Sequence, residues 1–327
     1  WTNVNYGSTI EVAVYVIYVV KHFHSERGFD MALKHLLNTM KTNSVIIGEL
    51  DRFLMSSKSQ GSGFVKDERE KGVWHPSSLG GCPRALQFGK VGIPAKITVS
   101  AQGQRIFDVG HHFGYMIQGY FYDMGILYGE WRCRYCGYRW TDLENPSPKT
   151  CPSCEKELRI WYNLDYLEVQ VRDEEYNITG HADALIKTLG KYRVVEIKTI
   201  KNRTQGTHPN SSCFEDLSAP LESHLKQLNM YIYVLAKMYP ELNLEDGIVL
   251  YGAKNDQRLK EFPIKLLYDL YVAPQLLNIQ IIESAIADDR VLPRPEGCDS
   301  KTCWDCRFCG YNDVCYSTES TSLKDYK

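Results

Sequence analysis

The chain has no apolar run long enough to cross a bilayer. Its longest, from Val12 to Val20, is nine residues and follows Glu11, whereas a spanning helix needs about 20. No basic segment precedes that run and no small-residue cleavage site follows it, so a secretory signal is not expected. An excess of one charge is missing too. Thirty-eight Lys+Arg against 40 Asp+Glu leave a formal charge of −2 over 327 residues, which excludes a histone-like polycation but not local basic patches. There is no internal repeat, and no helix-turn-helix or other base-reading motif, so sequence-specific recognition is not expected. The apolar 43% and charged 24% are ordinary for a globular chain, with room for about two domains or one domain and a large insertion.

What the chain has in quantity is cysteine, 11 in all. The number is odd, several fall in CxxC pairs and no export signal precedes them. Metal binding in a reducing, cytoplasmic compartment therefore fits better than disulfides.

Residues 1–63 read as an N-terminal helical region closed by a linker. Ser8 and Glu11 form a capping-box pattern, further helices are expected near 30–40 and 46–55, and residues 56–63 are rich in Ser and Gly. Residues 74–315 read as an α/β domain interrupted by a cysteine-bearing insert at 131–160. Within it, helices are expected over 105–122, 220–238 and 264–287. Strand-like runs fall at 164–171, 176–187 and 191–200, and a hairpin at 247–264. Residues 316–327 are left as a tail.

The insert carries Cys133-x2-Cys136-x14-Cys151-x2-Cys154. Two CxxC knuckles can close a tetrahedral shell, which predicts a structural zinc ribbon. Six basic residues and four aromatics interleave here with four acids. That composition suits stacking on single-stranded nucleic acid, or equally a small core around the metal. The second set is Cys306-x2-Cys309-x5-Cys315, with Cys298 and Cys303 just before it. Its fourth ligand could be local, as Cys298 or Cys303, or distant, as Cys82 in Gly80-Gly81-Cys82-Pro83-Arg84.

The chemistry is expected at Gly180-His181-Ala182-Asp183 and Glu196-Ile197-Lys198. Two apart on a strand, Glu196 and Lys198 share a face with Val194, while Val195 and Ile197 take the other. Leu189-Gly190-Lys191 reads as a hairpin turn that would bring Asp183 to Glu196. Two carboxylates can hold Mg²⁺ or Mn²⁺, which lowers the pKa of a bound water, and a lysine can neutralise a phosphate in transit. About 30 residues further on, His224-x2-Gln227-x3-Tyr231 puts three polar side chains on one face of a helix whose other face is a leucine-rich stripe.

Together these motifs resemble the RecB-type PD-(D/E)xK nucleases, including AddB-type helicase–nuclease subunits and CRISPR-adaptation nucleases. The resemblance covers about three quarters of the chain. It implies a restriction-endonuclease-like fold: a mixed central sheet flanked by helices, here with an N-terminal helical region and a zinc-ribbon insert. It implies Asp183, Glu196, Lys198, Gln227 and Tyr231 as catalytic residues, with Asp183, Glu196 and the carbonyl of Ile197 on Mg²⁺ or Mn²⁺. It also implies a [4Fe–4S] cluster on Cys82, Cys306, Cys309 and Cys315. The sequence departs from the family at the helical G-x3-H motif, where Gly110 is followed by His111-His112-Phe113-Gly114. Either histidine is a candidate ligand, His111 by helical geometry the better one, with Glu168 in reserve.

Lys187, Lys191, Arg193, Lys198, Lys201 and Arg203 suggest a phosphate-tracking groove; Arg84, Lys201 and Arg203 are the candidate DNA contacts. The expected activity is a metal-dependent DNA exonuclease or endonuclease acting on ends or single strands in recombination, repair or replication. Such a protein could be nucleoid-associated or phage-encoded, and could work with a helicase, a recombinase or a single-strand-binding protein, away from membranes. The competing expectation is a non-catalytic DNA-binding or assembly subunit that keeps the fold and its metals.

Overall fold

The computed structural model describes residues 46–56, 72–96, 100–204, 212–303, 306–307 and 309–326. They belong to two compact units, residues 1–65 with 100–104, and residues 66–99 with 105–327. Of the first unit, helix α1 (Ile47–Met55) is described and agrees with the expected third helix. The two earlier helices and nearly all of the Ser/Gly linker lie outside the described residues. No helix among the described residues is long and apolar enough to cross a membrane.

In the larger unit, α2 (Pro76–Leu79) and α3 (Pro83–Lys90) are short helices separated by Gly80 and Gly81. Proline at N1 of each suits a helix start, where its missing N–H has no partner to lose. The long helix α4 (Ala101–Asp123) follows. The main sheet is built from β1 (Leu127–Cys133), β2 (Arg139–Asp142), β3 (Leu164–Tyr166), β6 (Ala184–Thr188), β7 (Lys191–Ile200), β8 (Asp246–Ala253) and β9 (Leu259–Lys265). Its order is β2-β1-β6-β7-β8-β9, with β3 also paired to β1. Between β3 and β6, β4 (Val169–Asp173) and β5 (Ile178–Ala182) make a separate antiparallel pair. Among the described strands, every paired ladder is antiparallel except β7 with β8. A parallel pair needs a crossover, and α5 (Glu222–Met238) supplies it. The result is the mixed sheet flanked by helices that the resemblance implies.

Two expected strands each break in two, for reasons local to one residue. Glu168 adopts φ +65° between β3 and β4, a conformation that ends a strand. Asp183 leaves the ladder between β5 and β6. The β6–β7 turn does fall at Leu189 and Gly190, with φ +51° and +77°. Two successive positive φ values match the twist of a tight hairpin.

Residues of β7 alternate as expected. Val194 and Ile200 join a core with Leu228, Ile232 and Leu235 of α5 and with Leu276, Ile279 and Ile282 of α6 (Ala273–Ala287). Val195 and Ile197 join the core on the opposite side with Phe113 and Ile117 of α4. The sheet is thus closed on both faces, and a charged side chain at position 196 is buried by its strand's own geometry.

Residues 316–326 are no loose tail. Leu323 and Tyr326 are buried with Phe88 of α3, and the Tyr326 ring lies 5.2 Å from the Phe88 ring.

At Gly252 of β8, a Cβ would lie 2.0 Å from the Phe113 ring, so the glycine is what lets α4 settle on the sheet. Gly252→Ala is expected to cost about 1–3 kcal/mol by overpacking, measured by urea unfolding. An unchanged midpoint would contradict this packing.

Candidate active site and thiol sites

Ala184 on β6 faces Val195 on β7, so the next residue back, Asp183, arrives beside Glu196. Asp183 Oδ2 accepts a hydrogen bond from the Ile197 N–H at 2.7 Å. Glu196 has no exposed surface, and its Oε1 lies 2.5 Å from Lys198 Nζ. Neither carboxylate oxygen has a hydrogen-bond partner of good geometry among the described residues. The three motif residues are therefore together, in surroundings that leave a buried carboxylate incompletely satisfied. Burial, then the neighbouring Asp183 carboxylate, pushes Glu196 up to about 8. Burial likewise raises Asp183, against the pull of Lys198 and the Ile197 N–H. Burial works to lower Lys198, but Glu196 and Asp183 outweigh it and raise the ammonium above its ordinary range.

Helix α4 contributes from one side. His111 is near enough for its charge to favour ionised Asp183, while His112 turns its Nδ1 to the Asp108 carbonyl at 2.8 Å. Of the two candidates, His111 is the one found within electrostatic reach of Asp183. Gln118, seven residues further along the same helical face, donates Nε2 to the Asp183 carbonyl at 2.8 Å. Sequence reasoning missed it. A glutamine two turns from His111 on a core-packed helix was the available signal.

Helix α5 contributes from the other side. Gln227 Nε2 donates to Tyr231 Oη at 3.3 Å, and both side chains are buried. Burial first, then Glu196 and Asp183, raises the Tyr231 phenol well above its ordinary value, so it is a neutral donor beside the carboxylates. His224 Nδ1 lies 2.7 Å from Tyr251 Oη. Burial and Lys198 lower its pKa to about 4, so His224 is neutral as well. Glu168, the reserve ligand, acts electrostatically on Tyr231 alongside Glu196 and Asp183.

The expected basic groove is smaller than the sequence suggests. Lys187 and Lys191 flank the β6–β7 turn, and Lys191 is roughly 23 Å along the strand from Lys198. Arg193 pairs with Asp246, and Arg203 with Asp216. Lys201 is exposed. Arg84 needs correction as a DNA contact. It is 6% exposed, donates to the carbonyls of Leu292 and Cys315 and to Tyr326 Oη, and stacks on Phe88 and Tyr326. It fastens the chain's end to α3.

Two groups of thiols converge among the described residues: Cys133, Cys136, Cys151 and Cys154, and Cys298, Cys303 and Cys306. In the first, the Cys133–Cys154 and Cys136–Cys151 sulfurs are both 3.7 Å apart. A tetrahedron with metal–sulfur bonds of about 2.3 Å has edges of roughly 3.8 Å, so this set could hold a single metal ion. In the second, the Cys298 and Cys303 sulfurs are 3.3 Å apart. Cys82 lies within electrostatic reach of Cys309 and Cys315, so α3 and the chain's end do meet as expected. Cys306, however, faces Cys298 and Cys303, the local partners that the spacing had left open, and not the set that the resemblance implies.

Glu196 also predicts a pH response. The folded, metal-free chain binds its proton more tightly than the unfolded chain, with a pKa of about 8 against 4.5. This contribution is full below about pH 4.5 and is lost as pH rises through about 8. Glu196→Gln cannot ionise, so in chelator-treated protein it should flatten the loss of melting temperature over that window. Parallel curves for variant and wild type would contradict the assignment.

No curated protein matches the chain. It is similar to the solved "Crystal structure of SSO0001", at 17% identity and a TM-score of 0.40, covering 84% of this chain and 98% of that one; a likeness that loose carries no argument. The PD-(D/E)XK nuclease superfamily matches residues 147–316, a span that contains Asp183, Glu196, Lys198, Gln227 and Tyr231. That is more than half of the sequence, and the chain belongs to the PD-(D/E)XK nuclease superfamily.

Proposed function

We propose that the protein is a metal-dependent DNA nuclease that acts on ends or single strands, as an exonuclease with some capacity to nick. The observation that carries this reading is Glu196: a fully buried carboxylate beside Asp183, with one oxygen ion-paired to Lys198 and the other without a partner among the described residues. A buried carboxylate in that state is costly, and a divalent cation would satisfy it. Asp183, Glu196 and the Ile197 carbonyl would hold Mg²⁺ or Mn²⁺, with His111 as the further donor from α4. When bound, the ion polarises the phosphate and acidifies a water.

The chain's own groups do the rest. Gln118 and the Ile197 N–H fix Asp183 from opposite sides. Lys198 is held charged by the carboxylates, ready to neutralise the phosphate as negative charge builds on it. Tyr231, held by Gln227, stays neutral and keeps the carboxylate wall in place. Lys201 lies just beyond the site on the same chain segment and suits a backbone phosphate. Recombination, repair or replication, with a helicase, recombinase or single-strand-binding protein as partner, is the setting such an activity fits.

We assign zinc to Cys133, Cys136, Cys151 and Cys154 on the tetrahedral spacing. The iron–sulfur reading of Cys82, Cys306, Cys309 and Cys315 is supported by the proximity of Cys82 to Cys309 and Cys315. Cys306 would have to turn away from Cys298 and Cys303 to complete the set. Iron in anaerobically purified protein, lost in Cys82→Ser and kept in Cys298→Ser, is the expected result. Zinc alone would refute the cluster. Both thiol sites suit a reducing, cytoplasmic setting.

End-labelled single- and double-stranded DNA incubated with Mn²⁺ tests the activity. Cleavage should vanish with chelator and fall about 10²–10³-fold in Lys198→Ala. Inactive wild type, or undiminished cleavage by the variant, would return the protein to the non-catalytic reading.

A further inference from the structure

The cysteine ribbon has an aromatic surface that its own packing does not use. Trp131 is fully buried and serves as the ribbon's anchor to the domain. Tyr135, Tyr138 and Tyr162 are different: they are 51%, 45% and 76% exposed. The sequence left two readings for Trp131, Tyr135, Tyr138 and Trp140, a small core or a stacking surface; the structure divides them residue by residue and adds Tyr162.

Two of the exposed rings are held by contacts of their own, and the third through its backbone. Asn163 donates Nδ2 to Tyr135 Oη at 3.1 Å, and Lys156 Nζ lies 4.5 Å from the centre of the Tyr135 ring. Tyr138 stacks on Trp140, with ring centres 5.9 Å apart and planes 17° apart, which leaves its outer face open. Tyr162 follows Trp161, whose φ is +64°, a conformation that is costly for a bulky residue. The surroundings impose it. The Trp161 N–H donates to the Leu164 carbonyl, and the Tyr162, Asn163 and Leu164 N–H groups all reach the Arg159 carbonyl. Arg134 caps the carbonyls of Trp161 and Tyr162. Several hydrogen bonds thus hold a strained backbone that turns a tyrosine into solvent. Fixed aromatic rings bind planar partners at little cost in side-chain entropy.

The ribbon is also fixed relative to the active site. β1 pairs with β6 through Leu127 and Tyr128 and with β2 and β3 through residues 129–133, so one strand belongs to both. The Trp161 ring packs against Tyr115 of α4 at 5.1 Å. It also lies where a Cβ on Gly119 would be 3.1 Å from its Nε1. This is the helix that presents His111 and Gln118 to Asp183.

We propose that Tyr135, Tyr138 and Tyr162, with Lys156 against the Tyr135 ring, form a stacking platform for single-stranded DNA. The proposal rests on the nuclease reading for its choice of DNA. Unpaired bases offer faces for the rings, and Lys156 suits an intervening phosphate. Duplex DNA hides its base faces and gains nothing from the tyrosines. The ribbon would therefore bind the unpaired strand next to the cleaved phosphate and make the enzyme prefer single strands without contributing to the chemistry.

Fluorescence anisotropy with labelled oligonucleotides, in chelator-free buffer with Ca²⁺ replacing the catalytic ion, tests this in the full chain. Tyr135→Ala and Tyr162→Ala should each weaken single-strand binding about tenfold, and together about a hundredfold. Duplex binding and thiol-bound metal should stay unchanged, and Tyr→Phe at both positions should restore wild-type affinity. Unchanged single-strand affinity, or equal losses on single strand and duplex, would overturn the platform. So would wild-type protein that binds no oligonucleotide, which would leave this face to a protein partner. Binding is read here without cleavage. A platform that binds in a protein that never cuts would sink the nuclease reading alone; a protein that cuts without this preference would sink the platform alone.

Discussion

The site depends on one electrostatic constraint: Glu196 is buried on the central strand, next to a second carboxylate and one lysine. Strand alternation puts Glu196 in the interior, and the hairpin at Leu189-Gly190 brings Asp183 across to it. Two carboxylates and one ammonium leave an uncompensated negative charge in a place with little water. The chain alone resolves this by keeping a proton on Glu196 well into the neutral range. In the proposed function a divalent cation would resolve it better and would supply the chemistry that phosphodiester cleavage requires. The arrangement that is costly without metal would then favour its uptake.

The surrounding elements then serve to hold that arrangement still. Gln118 and the Ile197 N–H orient Asp183 from two directions, and α5 closes over Glu196 with two neutral side chains rather than competing charges. Gly252 lets Phe113 bring α4 down on the sheet. Arg84 ties α3 to the chain's end by reaching two carbonyls and Tyr326. β1 belongs both to this sheet and to the cysteine ribbon, so whatever the ribbon binds is presented to the site in a fixed orientation.

Much of this was readable from residue spacing. Period-two alternation in 194–198, the turn residues at 189–190, the paired CxxC knuckles and the polar stripe on residues 224–231 each report a local rule, and each found its place. What could not be read was tertiary. Whether an arginine faces solvent or two carbonyls, as at Arg84, depends on a segment more than 200 residues away. Arg193 and Arg203 looked like phosphate contacts until the fold brought Asp246 and Asp216 to them. Positive φ at Glu168 splits a strand that composition made continuous, and spacing could not decide between the local and the distant partners of Cys306. Gln118 offered only its place two turns from His111, which does not reveal that its partner is a carbonyl 65 residues on.

The most direct test of the central claim is Mn²⁺ binding to chelator-treated protein, measured by calorimetry at about pH 7 in two buffers of different ionisation enthalpy. If Glu196 is protonated in the empty site and gives up its proton to become a ligand, binding should release roughly one proton per ion. Glu196→Gln should abolish that release. Tight Mn²⁺ binding with no proton release, or release that persists in the variant, would contradict the account.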